Sequence, residues 1–365
     1  MPGTCIDEVN VRSLEETGGE IELLQTLIRG KGKAHYYNTL SFAREETLES
    51  DEGVSYTDFD GQKHTLARYR FAPFARGEKI EDKGCITYRD GVVTTPYLTA
   101  TVKEGVITSL IAVGRETAAG ILGEIRCAEN VPYQWDNWDI DADYPLKEKH
   151  AEYLGGEVIE LDGLQLRVRS VFKVSKKSTL TRDIVFDAFT SEIRFENKLD
   201  YQEDRSLVRV YFPTNLVTST VKSEIQFGYI ERSTYRNTSA AQAQFEVCNH
   251  RYSDLSENNF GIALLNDCKY GFACEEGTMS LTLMKNGVHP DKSGDKGVKY
   301  FTYSLLPHEG GFSAKNVVQP ALRLNDAPVL TSHKPVCPVT EISADGDVCP
   351  YNNTYSFTQT VTKSV

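Results

Sequence analysis

Residues Trp135-Asp136-Asn137-Trp138-Asp139-Ile140-Asp141-Ala142-Asp143-Tyr144 interleave four acids with the only two tryptophans of the chain. A flat apolar ring beside carboxylates suits a sugar. The ring takes the C–H face of a pyranose, and the acids accept from its hydroxyls. On a strand, Asp139, Asp141 and Asp143 would point one way, and Trp138, Ile140 and Tyr144 the other. Trp135, Trp138, Asp139 and Asp141 are therefore candidate substrate-binding residues. The same segment also reads as an acidic edge strand with its tryptophans packed in the core. Asp139-x-Asp141-x-Asp143 opens like a calcium loop, but that loop needs Gly at its sixth position and Glu at its twelfth. Tyr144 and His150 stand there instead.

A second polar cluster holds Glu231, Arg232, Arg236 and Asn237. A guanidinium is a planar fork that clamps carboxylates or hydroxyls. Arg232 and Arg236 are candidate substrate contacts, or else members of an internal ion-pair network that fixes a loop. Glycoside hydrolysis needs two carboxylates flanking the scissile bond, but acids are too abundant here for spacing to single out a pair. No residue is assigned as catalytic. Of seven histidines only His289, in His289-Pro290-Asp291, opens a His-x-Asp triplet, and it lies in a Gly/Pro/Lys loop. No metal ligand is assigned. No Gly-x-Ser-x-Gly elbow and no phosphate-cradling glycine pattern occurs.

The elements that must position these residues are mostly strands. Nineteen Tyr and sixteen Phe favour a pleated surface. Short alternating runs are separated by turn signals: Asp60-Gly61, Glu104-Gly105 and Asp162-Gly163, the first read as a type I′ hairpin. The expectation is an all-β chain with one short helix. That helix is placed at residues 13–29, with Thr17 and Glu20 at capping-box spacing and Gly30 as its stop. The net charge of −12 argues against nucleic acid. No apolar run reaches the ~20 residues of a membrane span, and no secretory pattern opens the chain. Cytoplasm is the expected compartment, with a vacuolar or lysosomal-type one as the alternative. The eight cysteines form no C-x-x-C pair, although Cys337 and Cys349 could bridge in an oxidising setting. Sequons stand at Asn237 and Asn352.

Three blocks carry a family resemblance: Gln226-Phe227-Gly228-Tyr229-Ile230-Glu231-Arg232-Ser233-Thr234-Tyr235-Arg236-Asn237, then Ala263-Leu264-Leu265-Asn266-Asp267-Cys268-Lys269-Tyr270-Gly271, then Phe301-Thr302-Tyr303-Ser304-Leu305-Leu306-Pro307-His308. In this order and spacing they resemble the C-terminal region of family 38 glycoside hydrolases, the zinc-dependent α-mannosidases. Tyr37-Asn38-Thr39-Leu40-Ser41-Phe42-Ala43-Arg44 resembles the first strand of that family's small β domain. The resemblance covers about residues 36–330. It implies residues 1–35 as a helical remnant and linker, 36–90 as a small β-sandwich and 91–330 as a large mutarotase-like sandwich. Past that point the resemblance thins, and the expectation for residues 331–365 is a divergent or truncated tail.

The resemblance also implies a division of labour. The family's zinc site and nucleophilic Asp lie upstream of this region, so zinc belongs to the intact enzyme and no cofactor to this chain. The Trp-Asp-x-Trp-Asp segment would border the sugar pocket. The partners implied are a mannose-containing oligosaccharide and the missing catalytic domain, or self-association in its place. The chain alone would be inactive. A free-standing carbohydrate-binding module and a purely structural or assembly domain are the alternatives.

Overall fold

The computed structural model describes residues 7–289 and 294–333. Strands dominate, and every pairing among the described residues is antiparallel. Two sheets face each other. One has six strands, in the order Lys149–His150, Glu124–Glu129, Ser206–Pro213, Thr278–Asn286, Gly271–Glu275 and Val247–Cys248. The other has nine, in the order Glu152–Leu161, Gln165–Lys173, Thr179–Asp187, Ile193–Tyr201, Gly297–Glu309, Phe260–Asn266, Tyr252–Ser256, Thr220–Ile225 and Gly228–Ser233.

Alternation along each strand sends one set of side chains between the sheets. Val208, Val210 and Phe212 enter from the six-stranded sheet; Phe195, Leu199, Tyr303 and Leu305 enter from the nine-stranded one. At the centre Phe195 stacks on Tyr303 at 5.2 Å between centroids and meets Phe212 edge-on at 5.5 Å. A five-stranded sheet over Thr87–Glu116 adds Val93, Ala100, Ile107 and Leu110 to the same core.

Turn chemistry behaves as its residues dictate at two of the three signals. Glu104-Gly105 (φ 49° and 71°) and Asp162-Gly163 (φ 43° and 74°) take the left-handed conformation at both residues, which a type I′ turn requires. The third departs from expectation. Between the strands Arg44–Thr57 and Lys63–Phe71, the chain uses a wider loop rather than a two-residue turn at Asp60-Gly61. The Asp58 carboxylate is the reason: it accepts from the amides of Asp60 (2.9 Å) and Gln62 (2.8 Å) and so organises the loop itself.

The helix is also longer than expected, Asp7–Arg29 rather than residues 13–29. Thr17 and Glu20 lie in its interior and cap nothing. The stop holds: Gly30 has φ 65° and donates to the Thr26 carbonyl at 3.2 Å. In the region expected as a small sandwich, strands Arg44–Thr57, Lys63–Phe71 and Glu78–Ile80 form one sheet. It rests on the outer face of the nine-stranded sheet through Leu66, Leu161 and Leu164. Pro290, Asp291, Cys337, Cys349 and Asn352 lie outside the described residues. No helix among the described residues is long and apolar enough to cross a membrane.

Candidate carbohydrate site

The Trp/Asp segment is not a strand. It lies in the connection between strand Glu124–Glu129 and the short 3-10 turn Tyr144–Lys147. The Trp135 carbonyl accepts from the amides of Trp138 (2.7 Å) and Asp139 (3.0 Å), and Trp135 itself has φ 60°. Curling the chain this way breaks the period of two, so Asp139, Asp141 and Asp143 share no strand face. A bulky residue at positive φ is strained, and such strain persists only where surroundings impose it.

Those surroundings are visible. The Asp136 carboxylate accepts from the Val288 amide at 2.7 Å and pairs with Arg205 at 3.4 Å. The Asp136 carbonyl accepts from Lys285 Nζ at 2.9 Å. Asn137 packs so closely over Gly287 that a Cβ there would fall 2.2 Å from its Oδ1. At the far end Tyr144 is buried with Ala128 and Leu207 and packs on Phe245. The loop is thus bolted at both ends to the outer face of the six-stranded sheet.

On either side of the Asp136 anchor the aromatic rings face water. Trp135 is 72% and Trp138 67% exposed, beside Tyr133 at 91%. The reading that buries the tryptophans in a core is overturned: the backbone fixed by Asp136 and Tyr144 turns them outward. Of the two candidate carboxylates on this loop, Asp139 is exposed and accepts from the Ile140 amide at 2.9 Å, while Asp141 is half-buried.

The two arginines fall in different places. Arg236 donates to the Phe245 carbonyl at 3.3 Å and pairs with Glu275 at 3.0 Å. Phe245 packs on Tyr144, so Arg236 borders the root of the aromatic loop. Arg232 sits on the outermost strand of the nine-stranded sheet, opposite Val221. Its Nη1 is buried without an acceptor, and burial pulls its pKa below the usual arginine value. Among the described residues, no hydrogen bond or ion pair joins Arg232 to the loop. Asn237 is exposed, and the Thr238 hydroxyl beside it accepts from the Ala241 amide to cap the short helix Ser239–Ala243.

Sequence reasoning missed the support beneath this loop. Arg209 is fully buried, pairs with Glu246, and donates to Ser280 Oγ at 2.5 Å and Thr282 Oγ1 at 3.2 Å. Its guanidinium lies 5.0 Å from the Tyr144 ring and 5.7 Å from that of Tyr211. Arg126 covers Tyr211 at 4.3 Å, and the Tyr211 hydroxyl donates to Glu148. Burial, together with the hydrogen bond to Glu148, holds the Tyr211 phenol far above its usual pKa despite Arg209 nearby. The alternation of Leu207-Val208-Arg209-Val210-Tyr211-Phe212 was the available signal: it places Leu207, Arg209 and Tyr211 on one face together.

The site therefore offers exposed indole planes with nearby carboxylates, which can stack on and hydrogen-bond a neutral sugar. Among the described residues no group of three or more His, Cys, Asp or Glu side chains is arranged to hold a metal ion. They do not fit the zinc centre that the resemblance attributes to the intact family.

Comparison with known proteins places this architecture in a class. Residues 93–293 match the description of the glycosyl hydrolases family 38 C-terminal domain, and the chain belongs to that family. Among curated relatives, the chain is 37% identical over 253 residues to α-mannosidase 2C1 of Homo sapiens, covering 67% of this chain and 24% of that protein. α-Mannosidase G of Dictyostelium discoideum is 37% identical over 198 residues, or 53% of this chain and 18% of that protein. The chain thus spans about a quarter, or less, of the curated relatives it matches. Two Enterococcus faecalis structures share the fold. A family 38 glycosyl hydrolase aligns with TM-score 0.52 at 13% identity, over 77% of this chain and 39% of that one. An α-mannosidase aligns with TM-score 0.54 at 12% identity, over 77% and 38%.

Proposed function

We propose that this chain is the C-terminal β portion of an α-mannosidase that removes terminal α-linked mannose from oligosaccharides. In this reading it braces a zinc-bearing catalytic domain and lines part of the sugar pocket with Trp135, Trp138, Asp139 and Asp141. It is inactive by itself. The family membership and the α-mannosidase relatives support the parentage. The observation that carries the pocket role is the pair of exposed indoles on a loop anchored at both ends. Apolar rings held in water on a strained, fixed backbone are arranged for a partner rather than for a core.

The bracing role draws on the helix Asp7–Arg29. It leaves Leu14 65%, Leu24 53% and Leu27 60% exposed, an apolar stripe with the character of an interface. Self-association through the same stripe is the assembly version of this reading. A cytoplasmic setting agrees with the unpaired Cys85, Cys127, Cys248, Cys268 and Cys274.

Because the chain has only two tryptophans, its indole fluorescence reports on this loop directly. Titration with methyl α-mannoside and mannobiose should give a saturable blue shift that Trp138→Ala removes. An unchanged spectrum up to high millimolar sugar would refute a sugar contact by the chain alone. Turnover of an aryl α-mannoside with added zinc, abolished by a chelator, would overturn the inactivity.

A further inference from the structure

On the other side of the sandwich from the tryptophan loop, a cleft of about 580 Å³ opens. Its walls are the start of strand Arg44–Thr57, the outer face of the nine-stranded sheet and the helical segment Ala314–Asn325. That volume suits a monosaccharide-sized molecule. The chain as a whole carries −12, yet Arg44, Arg68, Arg70, Arg194, Lys315 and Arg323 line this cleft against only Glu45, Glu46, Asp187 and Glu192.

The acids are already committed. Glu45 serves both Arg68 (2.9 Å) and Arg70 (2.6 Å). Glu46 serves Arg323 (2.9 Å) and, more distantly, Arg44 (4.0 Å). Asp187 accepts from Thr47, Gln165 and the Phe189 amide, each at 3.0 Å, and Glu192 accepts from Ser304 at 2.7 Å.

Cationic capacity is left over. The side chain of Arg44 is fully buried, and its Nη1 donates to the Asp326 carbonyl at 2.6 Å. Its Nε and Nη2 have no acceptor, and neither has Arg68 Nε. Arg194 approaches a carboxylate only at 3.7 Å, that of Glu196. Lys315 is exposed and pairs with no acid among the described residues. Phe189, under the Arg68 guanidinium at 4.0 Å, adds an apolar wall. Cations gathered in a walled cleft of an otherwise acidic molecule focus the field on a small anion.

We propose that this cleft binds a monosaccharide-sized oxyanion, a sugar phosphate or sugar carboxylate, with Arg194 and Lys315 meeting the anionic group above a floor made positive by Arg44 and Arg68. The site is independent of the mannose-pocket reading: it lies on a different sheet face, and its ligand is charged.

Isothermal titration calorimetry with inorganic phosphate, glucose 6-phosphate, glucuronate and neutral glucose tests it. Glucose 6-phosphate or glucuronate should bind, more weakly as salt rises, while glucose gives no heat. The source is read from which of the two binds more tightly. Arg194→Gln with Lys315→Gln should weaken binding about tenfold or more, near 1.4 kcal/mol by the affinity relation, with the melting temperature in buffer nearly unchanged. Should that pair fail to fold, Lys315→Glu alone, at an exposed position, carries the same expectation. Absence of heat with all anions, equal binding of glucose, or undiminished binding by a folded variant would overturn the proposal.

Discussion

Arg182 is a cation in the middle of the protein with no carboxylate partner among the described residues, and removing it is the sharpest test of how the sheets are joined. The residue is fully buried. Its Nη1 donates to the Gly123 carbonyl at 2.6 Å and its Nη2 to the Gly105 carbonyl at 2.5 Å. Its guanidinium lies 5.0 Å from the Phe172 ring and 5.4 Å from that of Phe195. One side chain of the nine-stranded sheet therefore holds a turn of the five-stranded sheet and the start of a strand in the six-stranded one.

Arg182→Ala leaves two buried carbonyls without a donor, at about 1–3 kcal/mol each. It also opens a cavity costing about 2 kcal/mol. The expected loss is roughly 4 kcal/mol or more, a large share of a typical domain's stability. Arg182→Met keeps most of the volume and should still lose roughly 2 kcal/mol from the orphaned carbonyls. Gly105→Ala attacks the same joint from the turn side. Its Cβ would lie 2.4 Å from Ser170 Oγ and 2.7 Å from Phe172 Cζ, on a backbone at φ 71°. Because the Gly105 carbonyl receives Arg182, the two changes should couple by at least about 0.5 kcal/mol rather than add. Urea unfolding followed by far-ultraviolet circular dichroism measures wild type, the three single variants and the Arg182→Ala/Gly105→Ala double variant. An Arg182→Ala variant within about 1 kcal/mol of wild type, or a strictly additive pair, would refute the reasoning.

Two further outcomes follow from the titrating groups. Burial opposes protonation of His64, but hydrogen bonds to Asp58 (3.0 Å) and to Glu49 outweigh it and raise its pKa above 6.5. A raised folded-state pKa contributes stability that is complete below the unfolded value and is lost as pH rises through the folded one. Stability should therefore fall by about 1 kcal/mol above that window, since Glu49 is largely exposed, and His64→Gln should flatten the fall; denaturant midpoints from pH 5.5 to 9 that are the same in both proteins would count against it. Burial and the neighbouring Asp267 push the Cys268 thiol up to about 12, although the residue is exposed. At pH 8 its thiolate fraction drops roughly a thousandfold, so alkylation should be far slower than at exposed Cys85; comparable rates by mass spectrometry would contradict the assigned environment.

What the sequence made legible was local. Glu104-Gly105 and Asp162-Gly163 reverse the chain by the backbone freedom of two residues, and no distant contact is needed to read them. Val208, Val210 and Phe212 point inward because alternation and apolarity coincide. What stayed hidden was long-range. The apparent strand through Trp138-Asp139-Ile140-Asp141 is undone by Asp136 accepting from the Val288 amide 152 residues away. A period of two in sequence costs nothing to write and says little unless both flanks pair. The same limit hid the cationic cleft, where Arg44 is held by the Asp326 carbonyl 282 residues on.

The tryptophans show how the two scales combine. Composition alone leaves an indole free to be core or ligand platform, since both bury its ring. The distant anchor at Asp136 decides between them, because it fixes the turn at Trp135 and leaves both rings outside. Asp136→Ala therefore separates loop geometry from indole chemistry: it keeps every aromatic, frees the turn, and should abolish a sugar-induced spectral shift as completely as Trp138→Ala. A shift that survives in Asp136→Ala would mean that the rings bind without being held, and that the strained turn at Trp135 serves something else.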